Sequence, residues 1–235
     1  MKKLLILLSL CICVMACGDR QKPAMDVVGD MMTPTEEPFA DIPRITVADA
    51  LAEDKITGPW LWMIAPTQRG QEVSETIDMD SLALASKHAV TETAVTTNGA
   101  SEGDLVGELA WTLGTIDGTA TGDYSDNIND VIIEIGLSEG KLVHHASYAL
   151  IVLESDKDRP NLTMQVGSDD AVKVWLNGEV VHKHPVIRGL FDFQESFAVD
   201  LKAGDNLLLV KVGNVLDNWA MFVGLADPSA LTQAQ

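Results

Sequence analysis

Two aspartates stand side by side at Asp169 and Asp170, after Gly167 and Ser168 and ahead of an alternating apolar run. A chain this acidic leaves carboxylates available for divalent cations, which bind through several oxygens at once. Two carboxylates are too few for such a site. Asp192, Asp217 and Asn218 are candidates for the remaining oxygens by their place in loops. The pair has a plainer use: capping a turn, with the side chains accepting from nearby backbone N–H groups.

Other residues carry chemistry in the same double sense. Lys173, Trp175 and Asn177 fall on one face of a strand, where an indole could stack on a sugar ring while the polar groups bond its hydroxyls. Trp219, with Trp60, Trp62 and Trp111, offers the same choice between a stacking platform and core packing. His182 and His184 flank Lys183 and share a strand face, a possible metal pair, yet zinc sites use about three or four ligands and no third is evident. Otherwise they are two half-exposed histidines on an edge. His144 and His145, being adjacent, cannot share a face of a regular strand.

Enzyme signatures are missing: no Gly-x-Ser-x-Gly elbow, no His-Glu-x-x-His, no phosphate loop. Acids are abundant enough that a glycosidase pair of carboxylates stays open, although nothing singles out any two.

These residues need elements to position them, and from residue 56 onward the pattern is short strands punctuated by turns. Trp60 to Ile64 is an aromatic and aliphatic strand between Pro59 and Pro66. Val131 to Ile135 and Ser147 to Glu154 are apolar runs of strand length. Residues 161–167 alternate with Leu162, Met164 and Val166 on one face, and residues 171–176 with Val172, Val174 and Leu176. Asn177-Gly178 then predicts a type I′ hairpin into residues 179–182, because that turn needs positive φ at both central positions. Residues 203–206 predict another turn, between strands at 197–201 and 207–212, and Trp219 to Leu225 a last strand. Helical periodicity is weak, with at most a short helix at 80–88 or 125–131. Residues 66–125, rich in Gly, Thr, Ser and Asp, are expected to form long loops. The fold predicted is all-β: a jelly-roll β-sandwich of two antiparallel sheets.

Two stretches carry a resemblance. Residues 166–181 run Gly167-Ser168-Asp169-Asp170, alternating strand, Asn177-Gly178; residues 201–212 run Lys202, Gly204, Asn206 into a leucine-rich strand. Together they resemble galactose-binding-like jelly-rolls, the carbohydrate-binding modules attached to glycoside hydrolases. The Asp-Asp step before a strand also resembles the lectin-type domain of flocculins and protective antigen. The resemblance is best over 160–225. It implies that Asp169 and Asp170 hold a calcium ion that contacts sugar hydroxyls, and that the domain binds rather than catalyses.

The N-terminus is read independently. Lys2 and Lys3 precede an apolar run from Leu4 to Met15, broken only by Ser9, and then Ala16 and Cys17. This is the layout of a secretory signal, too short for a membrane span of roughly 17–25 apolar residues. Val14-Met15-Ala16-Cys17 resembles the bacterial lipobox, which implies a signal peptide over 1–16 and a lipid on Cys17. All three cysteines lie in this segment, leaving the mature chain no disulfide, thiolate metal site or cysteine nucleophile beyond Cys17 itself. Gly18, rather than an aspartate, after the cysteine favours the outer membrane. Residues 17–44, with Pro23, Pro34, Pro38 and Pro43, read as a tether of roughly 30 Å mean reach, with the domain at 45–235.

Loss of residues 1–16 removes Lys2 and Lys3 and no acid, leaving 14 basic against 35 acidic residues, net −21. Such a chain repels phosphate backbones, which excludes nucleic acid as a partner. The expected function is a surface-anchored lectin-like module for glycans or cell-surface polysaccharide, with Ca2+ as the possible cofactor. An adhesion or protein-interaction domain is the alternative, and a glycoside hydrolase the third. An exposed Trp beside polar groups favours the first, a large apolar patch the second, and a cleft with one carboxyl of raised pKa the third.

Overall fold

A computed structural model of the chain describes residues 39–53, 55–116, 127–191, 193–216 and 218–227. In chain order the elements are β1 (Arg44–Thr46), α1 (Val47–Ala52), β2 (Trp60–Pro66), α2 (Val73–Thr76), α3 (Ser81–Ala85), α4 (Glu92–Asn98), β3 (Leu105–Val106), β4 (Leu109–Ala110), β5 (Thr112–Gly114) and α5 (Ile128–Glu134). Then follow β6 (His145–Ser155), β7 (Arg159–Asp169), β8 (Ala171–Leu176), β9 (Glu179–His184), β10 (Glu195–Leu201), β11 (Gly204–Asn214) and β12 (Ala220–Ala226).

The strands form the expected sandwich of antiparallel sheets, with unequal partners. The larger sheet runs β5-β2-β6-β11-β8-β9 and the smaller β10-β7-β12. One parallel strand joins the larger sheet: β1 pairs with residues 152–154 of β6, past the end of β2, which pairs with residues 145–150. The period-two pattern sets what is buried between the sheets. Trp60, Trp62 and Ile64 of β2, Ile151 of β6, Val172 and Val174 of β8 and Val210 of β11 meet Met164 and Val166 of β7 and Met221 and Val223 of β12. Each such side chain contributes about 1.5–3 kcal/mol by leaving water.

The predicted hairpin is present, with Asn177 at φ 52° and Gly178 at φ 87°. The turn after β10 is stitched to it. Asn177 Oδ1 accepts from Leu207 N (2.9 Å), its amide donates to Asn206 Oδ1 (3.0 Å), and Asn206 also accepts from Lys202 N (2.9 Å). The Asn-Gly and Lys-x-Gly-x-Asn signals are therefore two halves of one hydrogen-bonded corner.

Three expectations are corrected. Val131 to Ile135 is not a strand: α5 occupies 128–134, capped by Asn127, whose side chain accepts from Asn129 N. Ile128, Val131 and Ile132 share a helical face packed into the core, and a short apolar run does not by itself distinguish the two periods. Residues 66–116, part of the stretch expected as loops, instead build a layer over the outer face of the larger sheet. Leu82 of α3, Val95 of α4, Val106 of β3 and Trp111 cover Leu61, Met63, Tyr148, Leu150 and Leu209. α3 falls within the short helix allowed at 80–88, and polar residues cap it and α4: Asp80 accepts from Ala83 N (2.8 Å) and Thr91 from Ala94 N (3.1 Å). Lastly, residues 39–44, counted with the tether, belong to the domain. Ile42 is buried beneath this layer, and Arg44 pairs with Asp205 (2.6 Å). Cys17 and residues 1–38, and with them the signal and lipid-anchor readings, lie outside the described residues. Among the described residues no helix is long and apolar enough to cross a membrane.

Candidate functional site

The Asp169–Asp170 pair sits where β7 leaves the smaller sheet for β8 of the larger one, and the peptide between them is cis. Gly167 precedes it because nothing larger fits: a Cβ there would lie 2.1 Å from the Phe222 ring and 2.6 Å from the Phe191 carbonyl oxygen. Ser168 donates through Oγ to Asp170 O (2.6 Å), and its backbone N–H donates to Gln194 Oε1 (2.8 Å).

Asp170 is nearly buried, and both its carboxylate oxygens accept backbone N–H groups, Oδ1 from Arg188 and Oδ2 from Val215, each at 3.2 Å. The capping use is thus realised, but on loops distant in sequence. Asp170 fastens the β9–β10 loop and the β11–β12 loop to the corner. Asp169 is half-buried, and its pKa is pushed up to about 7 by burial, by the Asp170 charge and by a hydrogen bond with the Asp170 carboxyl, against the pull of Arg188. Burial also raises Asp170, while the Val215 and Arg188 N–H groups lower it. Two carboxyl groups in hydrogen-bond contact cannot both ionise freely without a nearby cation.

Around this corner the β9–β10 loop presents apolar side chains to solvent, with Phe191 73% and Ile187 61% exposed. Phe193 packs edge-on against Phe222 (5.1 Å between centroids). Arg188 leaves the same loop and turns inward. Its guanidinium donates to Ser168 Oγ (2.7 Å) and to both oxygens of Glu195, the second at 3.1 Å. Two histidines complete the group: His182 Nε2 lies 2.9 Å from Glu195 Oε2 and His184 Nδ1 2.7 Å from Glu195 Oε1. Burial raises the Glu195 carboxyl, and the Arg188 and His182 hydrogen bonds, with the Arg188 and His184 charges, outweigh it and leave it below its ordinary value.

The other sequence candidates do not converge on this corner. Lys173 lies on the outer face of β8, 3.4 Å from Asp78 and with its Nζ 4.9 Å from the Trp175 ring centroid. Trp175, 5% exposed, packs under the helical layer, and Trp219 is wholly buried with its indole N–H on Val212 O (3.3 Å). Trp60, Trp62 and Trp111 are buried too, so no tryptophan presents a face to solvent: Trp60, Trp62 and Trp219 lie in the core between the sheets, and Trp111 and Trp175 in the core between the larger sheet and the helical layer. Asn177 is spent on its turn at the far end of β8, roughly 20 Å of strand from Asp170 at about 3.3 Å per residue. Asn218 is partly exposed in the β11–β12 loop; Asp192 and Asp217 lie outside the described residues. His145 bonds Val143 O (2.8 Å), apart from the group.

Sequence reasoning missed Arg188, Glu195, Ser168 and Phe191. No spacing connects them, since β9 and β10 are edges of different sheets that come together only when the sandwich closes.

No protein family and no curated protein matches the chain. Among solved structures, a GH31 α-xylosidase from Xanthomonas citri is similar over 36% of this chain, at 16% identity and a TM-score of 0.29; the match takes in 9% of the xylosidase. The PA14 domain of the antifreeze protein MpAFP is similar over 72% of this chain and 81% of its own, at 10% identity and a TM-score of 0.41. A PA14 sugar-binding domain from an RTX adhesin is similar over 72% and 90%, at the same identity and TM-score. At these TM-scores the sandwich stands on its own strand pairing, and the likenesses say nothing of a ligand.

Proposed function

We propose that this domain is a non-catalytic, calcium-assisted glycan-binding module, held at the outer membrane by a lipid on Cys17. The observation that carries the reading is the Asp169–Asp170 corner, two carboxyl groups in contact beside a loop that exposes Phe191. A hard cation fits this donor set. Asp169 has oxygens to give, and each Asp170 oxygen keeps a second lone pair after accepting its backbone N–H. Asn218, partly exposed on the loop held by Asp170, would be a further oxygen donor if its amide turns to the corner. A bound cation would favour both carboxylates in their charged form; Asp169 and Asp170 would hold it beside the sugar, and Phe191 would supply the apolar face that the buried tryptophans do not. A glycosidase fits less well. Its two carboxyls stand at least about 5 Å apart, with an inverting pair wider still, whereas Asp169 and Asp170 touch through a hydrogen bond.

The test is a glycan array on the purified protein, in Ca2+ and in chelator, with Asp169→Asn and Phe191→Ala beside it. Binding lost in chelator and in Asp169→Asn, and weakened in Phe191→Ala, supports the reading. No glycan bound in either buffer overturns it and favours the exposed Ile187 and Phe191 as a surface for a protein partner. For the anchor, Cys17→Ser is expected to move the protein from the membrane to the soluble fraction; unchanged fractionation would remove the lipid from the proposal.

A further inference from the structure

The geometry points to a second metal site, separate in chemistry from the carboxylate corner: His182, His184 and Glu195 bind one late first-row divalent ion of the Zn2+ class across the open edge of the sandwich. The two histidines alternate on β9, so both imidazoles leave the same face, and Glu195 opens β10 opposite them. One ligand atom from each residue lies within 4.8 Å of the other two. Tetrahedral ligation at roughly 2.0–2.1 Å places donors about 3.3 Å apart. His184 Nδ1 stands 2.7 Å from Glu195 Oε1 and His182 Nε2 2.9 Å from Oε2, so each imidazole already faces a carboxylate oxygen and the contacts have to widen to admit an ion. Imidazole nitrogen with one carboxylate selects zinc, nickel, copper or cobalt over calcium, which prefers oxygen throughout.

The surroundings pre-position the ligands. The His182 ring is stacked on Phe197, with centroids 4.4 Å apart and planes 9° from parallel. Arg188 grips the Glu195 carboxylate and leaves it the lone pairs that face the imidazoles. Its positive charge opposes a dication, and the glutamate with Asp169 and Asp170 nearby leaves the cluster acidic overall. His184, with its side chain 39% exposed, is the way in from solvent. Three protein ligands leave a fourth position for water or an outside group.

Binding here ties β9, the edge of the larger sheet, to β10, the edge of the smaller, so part of the binding free energy becomes folding free energy. The ion displaces any proton held between imidazole and carboxylate, so uptake releases protons and no electron is moved.

The test is calorimetric titration of Zn2+ into metal-free protein purified without a polyhistidine tag, followed by visible spectroscopy of the Co2+ form. One Zn2+ per chain, a Co2+ spectrum of tetrahedral intensity without a thiolate charge-transfer band, and a thermal midpoint that rises with Zn2+ are expected. Affinity should fall at least tenfold in His184→Gln, whose exposed side chain can be exchanged with the fold intact, and in Glu195→Gln. Asp169→Asn, which leaves the backbone contacts of Asp170 in place, should keep its Zn2+ while losing any Ca2+ response, which separates this site from the carboxylate corner. No Zn2+ uptake, or equal uptake in His184→Gln, overturns the assignment.

Discussion

Two ionic clusters in this domain use similar residues to opposite ends. Under the helical layer, Lys211 is wholly buried, and its Nζ donates to Glu92 Oε1 (2.7 Å), Ile77 O (3.1 Å) and Met79 O. Tyr148 donates to the same Glu92 oxygen (2.8 Å). All three ammonium hydrogens are used and no outside ligand can reach them. Burial pushes the Glu92 carboxyl up and the Lys211 ammonium down, while each holds the other charged; burial drives the Tyr148 hydroxyl well above its ordinary range. At the sandwich edge, Glu195 is instead surrounded by one fixed cation and two imidazoles, with one of them open to solvent. The sealed cluster has no spare valence and serves only to clamp α2, α3 and α4 to the sheet. The edge cluster and the adjoining aspartates keep lone pairs in reserve, and that reserve is what a binding site needs.

The largest effect should come from breaking the sealed cluster. Lys211→Met leaves Glu92 buried without its cation and two carbonyls without a donor, and a loss of about 3–5 kcal/mol is expected in urea denaturation. Adding Glu92→Leu should restore part of it, because an apolar pair of similar volume is tolerated where a lone charge is not. A loss below about 1 kcal/mol in the single variant would mean that water enters beneath the helices and that the two clusters differ less than their burial implies.

The corner comes next. Asp170→Ala orphans the N–H groups of Arg188 and Val215, and a cost of about 1–3 kcal/mol is expected. Hydrogen exchange should quicken in both the 185–194 and the 213–219 stretches. Faster exchange in only one would show that Asp170 holds a single loop.

The smallest effect concerns Asp78, which pairs with Lys183 (2.8 Å) and Lys173 (3.4 Å) on the outer face of the sheet. The Lys183 hydrogen bond, against slight burial and with help from Lys173, holds its carboxyl below the ordinary 3.8. A lowered carboxylate stabilises the fold above its unfolded pKa, and that contribution is lost as pH falls through the folded value. Asp78 is about half exposed, so only a few tenths of a kcal/mol are expected. Asp78→Asn should melt slightly earlier at pH 7, and the difference should close as pH is lowered past 3.8; a gap that persists there would point to packing instead.

The register explains why the outer face needs both Glu92 and Asp78. Tyr148, Lys211, Lys173 and Lys183 stand in one row across β6, β11, β8 and β9. Three lysines opposite one another would repel. The acids that offset them arrive from α4 and from the segment after α2, in the stretch read as loop. The strands themselves were legible because residues 161–167 and 171–176 alternate cleanly, and the hairpin because Asn177-Gly178 has few other uses. The helix at 128–134 was legible only as one of two readings, a short helix at 125–131 or a strand from Val131, since five consecutive apolar or acidic residues satisfy either period. Of the sequence candidates, Asp169 and Asp170 share one corner, while Lys173, Trp175, Asn177 and Trp219, which share only a strand or a residue type, lie elsewhere in the fold.

What the sequence determined by itself is local: where strands run and turn, which face of each is apolar, the strong negative charge, and the adjacency of two aspartates, all consequences of backbone sterics and side-chain period. Tertiary structure alone decided that both faces of the larger sheet are covered, and that the tryptophans are buried in the two cores this creates. It alone brought Glu195 to His182 and His184, and Arg188 to Asp170. The physical reason is the same in each case. These are contacts between elements in different layers, set by how sheets and helices close over one another, and no period along the chain encodes that closure.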